Sequence, residues 1–443
     1  MRQFQAAAIF VVVSVLASAG QQASDPIATL LRTRQRLLAD LARMPRYTCV
    51  QTITRKYYDS PSRFGQTSCA KLISQHQARK HELSVVGWDR LRLDVALVEG
   101  SNAFAWVGAP RFADDTFEQL AGRGPLGSGD FGTFLTEIFL KAKATFQRED
   151  VNDGKRLLEY SYDMPVGKSA YKVKTRDNWT VTAYSGTLLL DPEAMDIVGL
   201  TARTAELPEE SAACQAISEV GYGRTSIHGR MVLIPRETRL RAIYRSGAES
   251  LSVTGFASCR EYASTIRILL DDSQAAETGA TPAAAAQPPE TVPAGIHFKT
   301  RIVTPIDSDN AAAGDPIELI LRSPMRDKKR SVLAPVGTRL HGRLLRLEQR
   351  STPTSHFEVA VQLESLEIGG RSVAFHSTSY PVRLYVPIQD PRRPRQAEFV
   401  DPWNSATFYF PEKHLRLKDL ESEWVTVSAD QVKEAAETLK KKK

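Results

Sequence analysis

Four cysteines in 443 residues are too few for a disulfide scaffold, though enough for two staples. Beyond the N-terminus no stretch approaches the roughly 20 apolar residues that a membrane-spanning helix needs. A multi-span membrane protein is therefore excluded, and no transmembrane segment is expected once a leader is removed. The eight histidines (His76, His81, His228, His297, His341, His356, His376 and His414) contain no pair at i,i+4 and no HExxH, and the cysteines contain no CxxC, so no metal site is expected. No serine sits in GxSxG, and no P-loop lysine follows a glycine-rich turn. Charge of one sign is also missing. The formal charge is +7; removing Arg2 leaves +6, and Lys440 to Lys443 carry four of those, so the body sits near +2. A nucleic-acid reader would show a basic stripe on its folded surface, so no nucleic-acid partner is expected.

What is present begins with an export signal over residues 1–19. Arg2 is its positive end, Ala6 to Ala17 its apolar run, and Ala17-Ser18-Ala19 a small-x-small cleavage site. The protein is expected in a periplasm or outside the cell. There the cysteines oxidise. Cys214 opens one strand and Cys259 lies two strands later in an apparent meander, so their backbones stand about 10 Å apart. A disulfide needs less than about 7 Å. Of the two pairings left, Cys49–Cys259 with Cys69–Cys214 is favoured.

Asp25-Pro26 reads as a helix cap with proline at the first turn. Ile27, Leu30, Leu31, Leu37, Leu38 and Leu41 then recur at helical spacing. Residues 47–58 are β-branched and aromatic. Residues 89–98 alternate, with Leu91, Leu93, Val95 and Leu97 on one face, and 102–107 return as a short strand with Phe104 and Trp106 on one side. Asp130 opens a second helix, whose stripe carries Phe131, Phe134, Leu135, Ile138, Phe139 and Ala142. Strands are expected near 155–163, 169–175, 179–190, 196–207, 213–225, 230–244 and 250–269. Such a meander builds an antiparallel sheet. Residues 273–295, rich in Ala and Pro, read as a linker. Strands resume over 296–412, with a basic PRRPR segment at 391–395. The remainder, 413–443, reads as a tail carrying a short basic helix, which Ser428 and Gln431 box at its start. The first domain is set at 24–272 and the second at 296–412.

Gly122, Gly124 and Gly127 fit GxGxxG, but no strand precedes them and Pro125 interrupts them. They read as a hinge beside the Phe-rich helix, not as a phosphate cradle. Asp114-Asp115 and Asp271-Asp272 read as solvated turns, and no cofactor is expected. The aromatic stripes read first as core. A strongly curved sheet, however, has a concave face wider than its own side chains fill, and a loosely fitting helical cover leaves an apolar cavity. On that reading Leu91, Leu93, Val95, Phe104, Trp106, Phe131, Phe134 and Phe139 line a hydrophobic ligand site.

The helix-then-meander order over about 25–270 resembles the lipoprotein-carrier fold (LolA/LolB-like), a half-barrel closed by helices. YTCVQTI (47–53), DRLRLDVALVEG (89–100), GPLGSGDFG (124–132) and CREYASTI (259–266) look like a family of exported acidobacterial proteins without an assigned activity. In the second domain, VTPIDSDNAAAGDPIELIL (303–321) and VLAPVGTRLHGRLLRLE (332–348) are similar to the β-barrel module of TrbI-like envelope proteins. Pro335, Gly337, Thr338, Leu340 and Gly342 match that module's hairpin. These likenesses imply a carrier-like first domain and a docking second domain with an envelope protein as partner.

The expected fold is mainly β with α: a curved antiparallel half-barrel covered by helices, linked to a small β-barrel or β-sandwich domain. The expected function is a non-enzymatic envelope protein that binds or carries a lipid or a lipidated protein. The alternatives are a docking protein with a filled core, and a secreted hydrolase whose residues come from distant loops.

Overall fold

The computed structural model describes residues 25–60, 67–98, 101–109, 112, 131–152, 154–175, 178–261, 291–352, 354–379 and 404–441. The expected signal peptide, the glycine-rich loop before residue 131, the two Asp-Asp pairs, residues 273–290 of the expected linker and the PRRPR segment lie outside the described residues.

The first domain runs α1 (Pro26–Ala42), β1 (Tyr47–Tyr58), α2 (Cys69–Ala78), β2 (Val85–Val98), β3 (Ser101–Trp106), α3 (Phe131–Lys141), β4 (Lys143–Asn152), β5 (Lys155–Met164), β6 (Lys172–Thr175), β7 (Asn178–Val181), β8 (Tyr184–Asp191), β9 (Asp196–Thr204), β10 (Ala213–Ile227), β11 (Arg230–Tyr244) and β12 (Glu249–Glu261). Asp25 caps α1 by accepting the Ile27 N–H at 3.0 Å, with Pro26 in the first turn. The strands pair antiparallel in the order β4–β5–β8–β9–β10–β11–β12–β1–β2–β3. Bulges in β4, β10, β11 and β12 bend this wall. Helices α1 and α3 lie against one end of it. Leu37, Leu135, Ile138 and Phe139 pack there onto Leu158, Tyr160, Tyr162, Leu188 and Leu200. Helix α2 packs elsewhere, with Leu72 and Ile73 on Ile217 and Ile243.

Both disulfides form in the favoured pairing, Cys49–Cys259 and Cys69–Cys214. The first joins neighbouring strands β1 and β12; the second pins α2 to β10. Helix α2 and strand β4 were not expected. β4 is exposed along nearly its whole length, so it lacks the apolar alternation that marks a half-buried strand.

The second domain runs β13 (His297–Ile302), β14 (Ile306–Asp307), β15 (Pro316–Leu321), β16 (Met325–Arg326), β17 (Val332–Ala334), β18 (Arg339–Arg350), β19 (His356–Ile368), β20 (Arg371–Ala374), β21 (His376–Ser379), β22 (Ala406–Phe410), β23 (Arg416–Leu417), β24 (Glu421–Val427) and α4 (Ala429–Lys441). Pairings pass from β24 through β13, β15 and β18 to β19, which also holds β20 and β22. The strands wrap an apolar core around Leu319, Leu344, Phe357, Leu363 and Trp424. This is a wrapped sheet and not a regular closed barrel. The expected boundaries shift at both ends. Thr426 binds the Pro293 carbonyl and the Ile296 N–H, so the end of the expected linker belongs to this domain. The expected tail contributes β23 and β24, whose Leu417 and Trp424 are buried in the core of this domain. Ser428 and Gln431 exchange hydrogen bonds and cap α4.

The two domains are not separate beads. Eighteen of the strands form one sheet, because the second domain completes the open edge of β2. Strand β3 covers Leu93 to Val98, Ala313 bridges Leu91, and β18 pairs with Gly87, Trp88 and Asp89. Gly314 sits at φ +102°, where a Cβ would collide with the Arg92 carbonyl and the Trp106 ring; only glycine lets the chains approach so closely. Arg343 then donates to the Val107 and Gly314 carbonyls, both at 2.8 Å.

Candidate ligand-binding site

Side chains two apart on a strand share a face, and so do directly paired residues. From the registers, one face of the wall carries Cys49, Gln51, Ile53 and Arg55 on β1, Asp89, Leu91, Leu93 and Val95 on β2, and Phe104 and Trp106 on β3. Ser250, Ser252, Thr254 and Phe256 of β12 join the same face. Further along it come Tyr162, Tyr184, Leu188 and Leu200, under α1 and α3.

The sequence-derived ligand residues fall into two groups. Leu91, Leu93, Val95 and Phe104 are buried together with Cys49, Ile53 and Ala313, and Trp106 packs beside them. Phe139 is buried, and Phe134 half-buried, in the separate cluster beneath the helices. Phe256 touches both clusters. Phe131 opens α3, but its side chain lies outside the described residues. The structure thus brings the strand residues together around the Cys49–Cys259 bridge. The helix residues meet a different, tyrosine-rich stretch of the wall.

That stretch is held by hydrogen bonds as well as by packing. Tyr160 donates to the Pro26 carbonyl at 2.7 Å, and Tyr162 donates to the Thr201 carbonyl at 2.7 Å. Phe134 stacks on Tyr184 with ring centroids 5.4 Å apart. Glu137, buried on α3, accepts from the Ala170 N–H at 2.8 Å and from the Tyr184 hydroxyl at 3.3 Å. Burial pushes the Tyr160 phenol up to about 12 and those of Tyr162 and Tyr184 upward as well. These tyrosines are therefore protonated donors at any physiological pH.

The other half of the face is polar at its centre. Gln51 is 0% exposed, and neither atom of its amide has a hydrogen-bond partner. The hydroxyls of Ser252 and Thr254 are buried in the same condition. On α1, Thr29 and Thr33 occupy buried positions one turn apart where leucine would be usual, and the Thr33 hydroxyl also lacks a partner. Sequence reasoning passed over Gln51, although its inward phase between Cys49 and Ile53 was readable in the alternation.

Next to these groups a row of charges crosses the domain junction. By register Arg55, Asp89, Glu348 and Glu358 stand side by side on β1, β2, β18 and β19. Arg55 binds Asp89 through two nitrogens, at 2.7 and 2.8 Å, and Tyr57 donates to Asp89 at 3.0 Å. Arg346 and Arg350 pair with Glu358 and Glu348. Desolvation, and the neighbouring carboxylates of Glu358 and Asp89, push the Glu348 carboxyl upward. Three guanidinium groups against three carboxylates make this a balanced structural network. Elsewhere Asp307, Asp309 and His414 offer ligand atoms within 4.8 Å of one another. They are largely exposed and already paired among themselves and with Arg416, so the geometry calls for no ion there.

Among the described residues no helix is long and apolar enough to cross a membrane. No family model matches the chain, and no curated protein or solved structure matches it.

Proposed function

We propose that the protein is an exported, non-enzymatic cell-envelope protein whose first domain takes up a hydrophobic ligand, a lipid or a lipidated protein, between its helices and its curved wall. The observation that carries this reading is an asymmetry of fastening. The wall is stapled across β1 and β12 by Cys49–Cys259, and α2 is stapled to β10 by Cys69–Cys214. Neither roof helix holds a cysteine, so α1 and α3 rest on the wall through apolar contacts and a few polar bonds. A stapled wall under an unstapled roof is what reversible loading requires, since elements that open are held by the weaker contacts. The element order, which resembles that of the lipoprotein-carrier fold, and the two disulfides support this reading, whose compartment is a periplasm or the outside of the cell. The second domain, locked to β2, acts as a docking module for an envelope protein.

Native mass spectrometry of protein purified from its own host tests this. A co-purifying lipid mass is expected, lost on delipidation. A bare chain that also fails to bind the apolar dye N-phenyl-1-naphthylamine contradicts it. The packing of Leu93, Phe104 and Phe139 favours a second reading, a docking protein with a filled core, which predicts a stable protein partner in crosslinked envelopes and no lipid.

A further inference from the structure

We infer that Gln51, Thr254 and Ser252 form a polar subsite on the wall that receives the neutral, hydrogen-bonding head of an amphiphile, an amide or a hydroxyl. This rests on the ligand-carrying reading above and specifies which ligands satisfy it.

The three residues are contiguous. In the β1–β12 register Ile53 opposes Thr254 and Arg55 opposes Ser252, while Gln51 opposes Phe256 and lies diagonal to Thr254. All three side chains therefore point to one face within two adjacent strands. Each is at most 1% exposed, and each has a polar atom without a partner. Native proteins pair nearly all such atoms, so a cluster of unmet ones marks a place where something else supplies the bonds. An amide carries two donors and an acceptor, and each hydroxyl one donor and an acceptor. The set thus matches a head that can both give and take hydrogen bonds.

Charge narrows the class further. Arg55, the cation that opposes Ser252 on this face, spends two of its nitrogens on Asp89, and Tyr57 adds a third bond to the same carboxylate. No net charge is left to offset the desolvation of a phosphate or a carboxylate, which is far costlier to bury than a neutral group. Ile53 and Leu93 flank the stripe, and Phe256 leads from it to the tyrosine-rich end beneath the roof. A head at Gln51 therefore has apolar wall on either side for its chain.

The test uses the full chain, with N-phenyl-1-naphthylamine fluorescence as reporter and two competitors of equal length, 1-decanol and decane. The wild type should prefer decanol. Gln51→Leu should weaken decanol about tenfold, the worth of one or two net hydrogen bonds, and leave decane and the dye unchanged. Thr254→Val, nearly the same shape, should weaken decanol a few-fold and serves if the first variant misfolds. Unchanged decanol-to-decane ratios in both variants would overturn the subsite and leave buried water as its occupant. Failure of the dye to bind wild type at all would instead overturn the carrier reading on which the subsite stands.

Discussion

In the second domain Leu319, Leu340, Leu344, Val361 and Leu363 meet in one apolar cluster, and the buried Thr300 hydroxyl beside it accepts from the Trp424 indole at 3.0 Å. The buried partnerless atoms there belong to Arg301, which binds Asp419 through another nitrogen, and to Ser377, while Arg350 is ion-paired with Glu348. In the first domain Gln51, Thr254 and Ser252 sit in the middle of the wall with no such compensation. Both regions belong to the same antiparallel sheet, so strand pairing does not explain the contrast. The second interior leaves the single hydroxyl of Ser377 unmet among the described residues and is otherwise closed by its own side chains. The first is finished only if a further molecule brings the missing bonds, because each unmet buried group costs about 1–3 kcal/mol.

The comparison can be strained from either side. The largest effect belongs to the second core: Phe357→Ala should cost about 3–5 kcal/mol in denaturant unfolding, since the ring is fully buried. A loss under 1 kcal/mol would mean that this core is as loose as the wall.

Acid should separate the domains next. Glu249 is nearly fully buried and binds Arg79 at 2.6 Å, His76 at 3.1 Å and Arg241 at 3.0 Å. Although burial alone would raise its carboxyl, those partners hold it down to about 2. A carboxyl lowered on folding contributes stability that is complete above its unfolded value near 4.5 and is lost as pH falls toward 2. The loss should be about 2–3 kcal/mol, confined to the first domain and absent in Glu249→Gln. Glu348 at the junction has the opposite sign. Its raised carboxyl carries a cost at neutral pH that disappears on protonation, so mild acid should not part the domains. Melts followed between pH 7 and pH 3 check both statements.

Smaller again is Gln51→Leu, which should stabilise the unliganded protein by about 1–3 kcal/mol by removing an unmet amide; a destabilised variant would mean that the amide is already satisfied. Smallest is Ser428→Ala. It removes the box at the start of α4 and should cost about 1 kcal/mol or less. Helicity should fall and neither core should respond.

Much of this fold could be read locally. The Asp25-Pro26 start, the Ser428/Gln431 box, the alternation of 89–98 and the meander of long strands each carry their own signal, and strand spacing removed one of the three cysteine pairings. What could not be read depends on distant partners. β4 shows no apolar face. The expected tail hid β24, whose burial depends on β13 and β21. The junction is written in polar residues such as Asp89 and Glu348, which look like solvent-facing positions until β2 and β18 meet. Leu91, Leu93 and Val95 share one strand face, with Phe104 and Trp106 on the partner strand beside them. The Phe104 and Phe134 groups lie in different clusters, with Phe256 touching both.

Hydrogen exchange resolved by segment tests the account most directly, because it separates roof from wall in the intact chain. The amides of α1 and α3 should exchange on the order of a hundredfold faster than those of β1 and β12, and slow when a lipid is bound. Equal protection of roof and wall, unmoved by any hydrophobic probe, would contradict it.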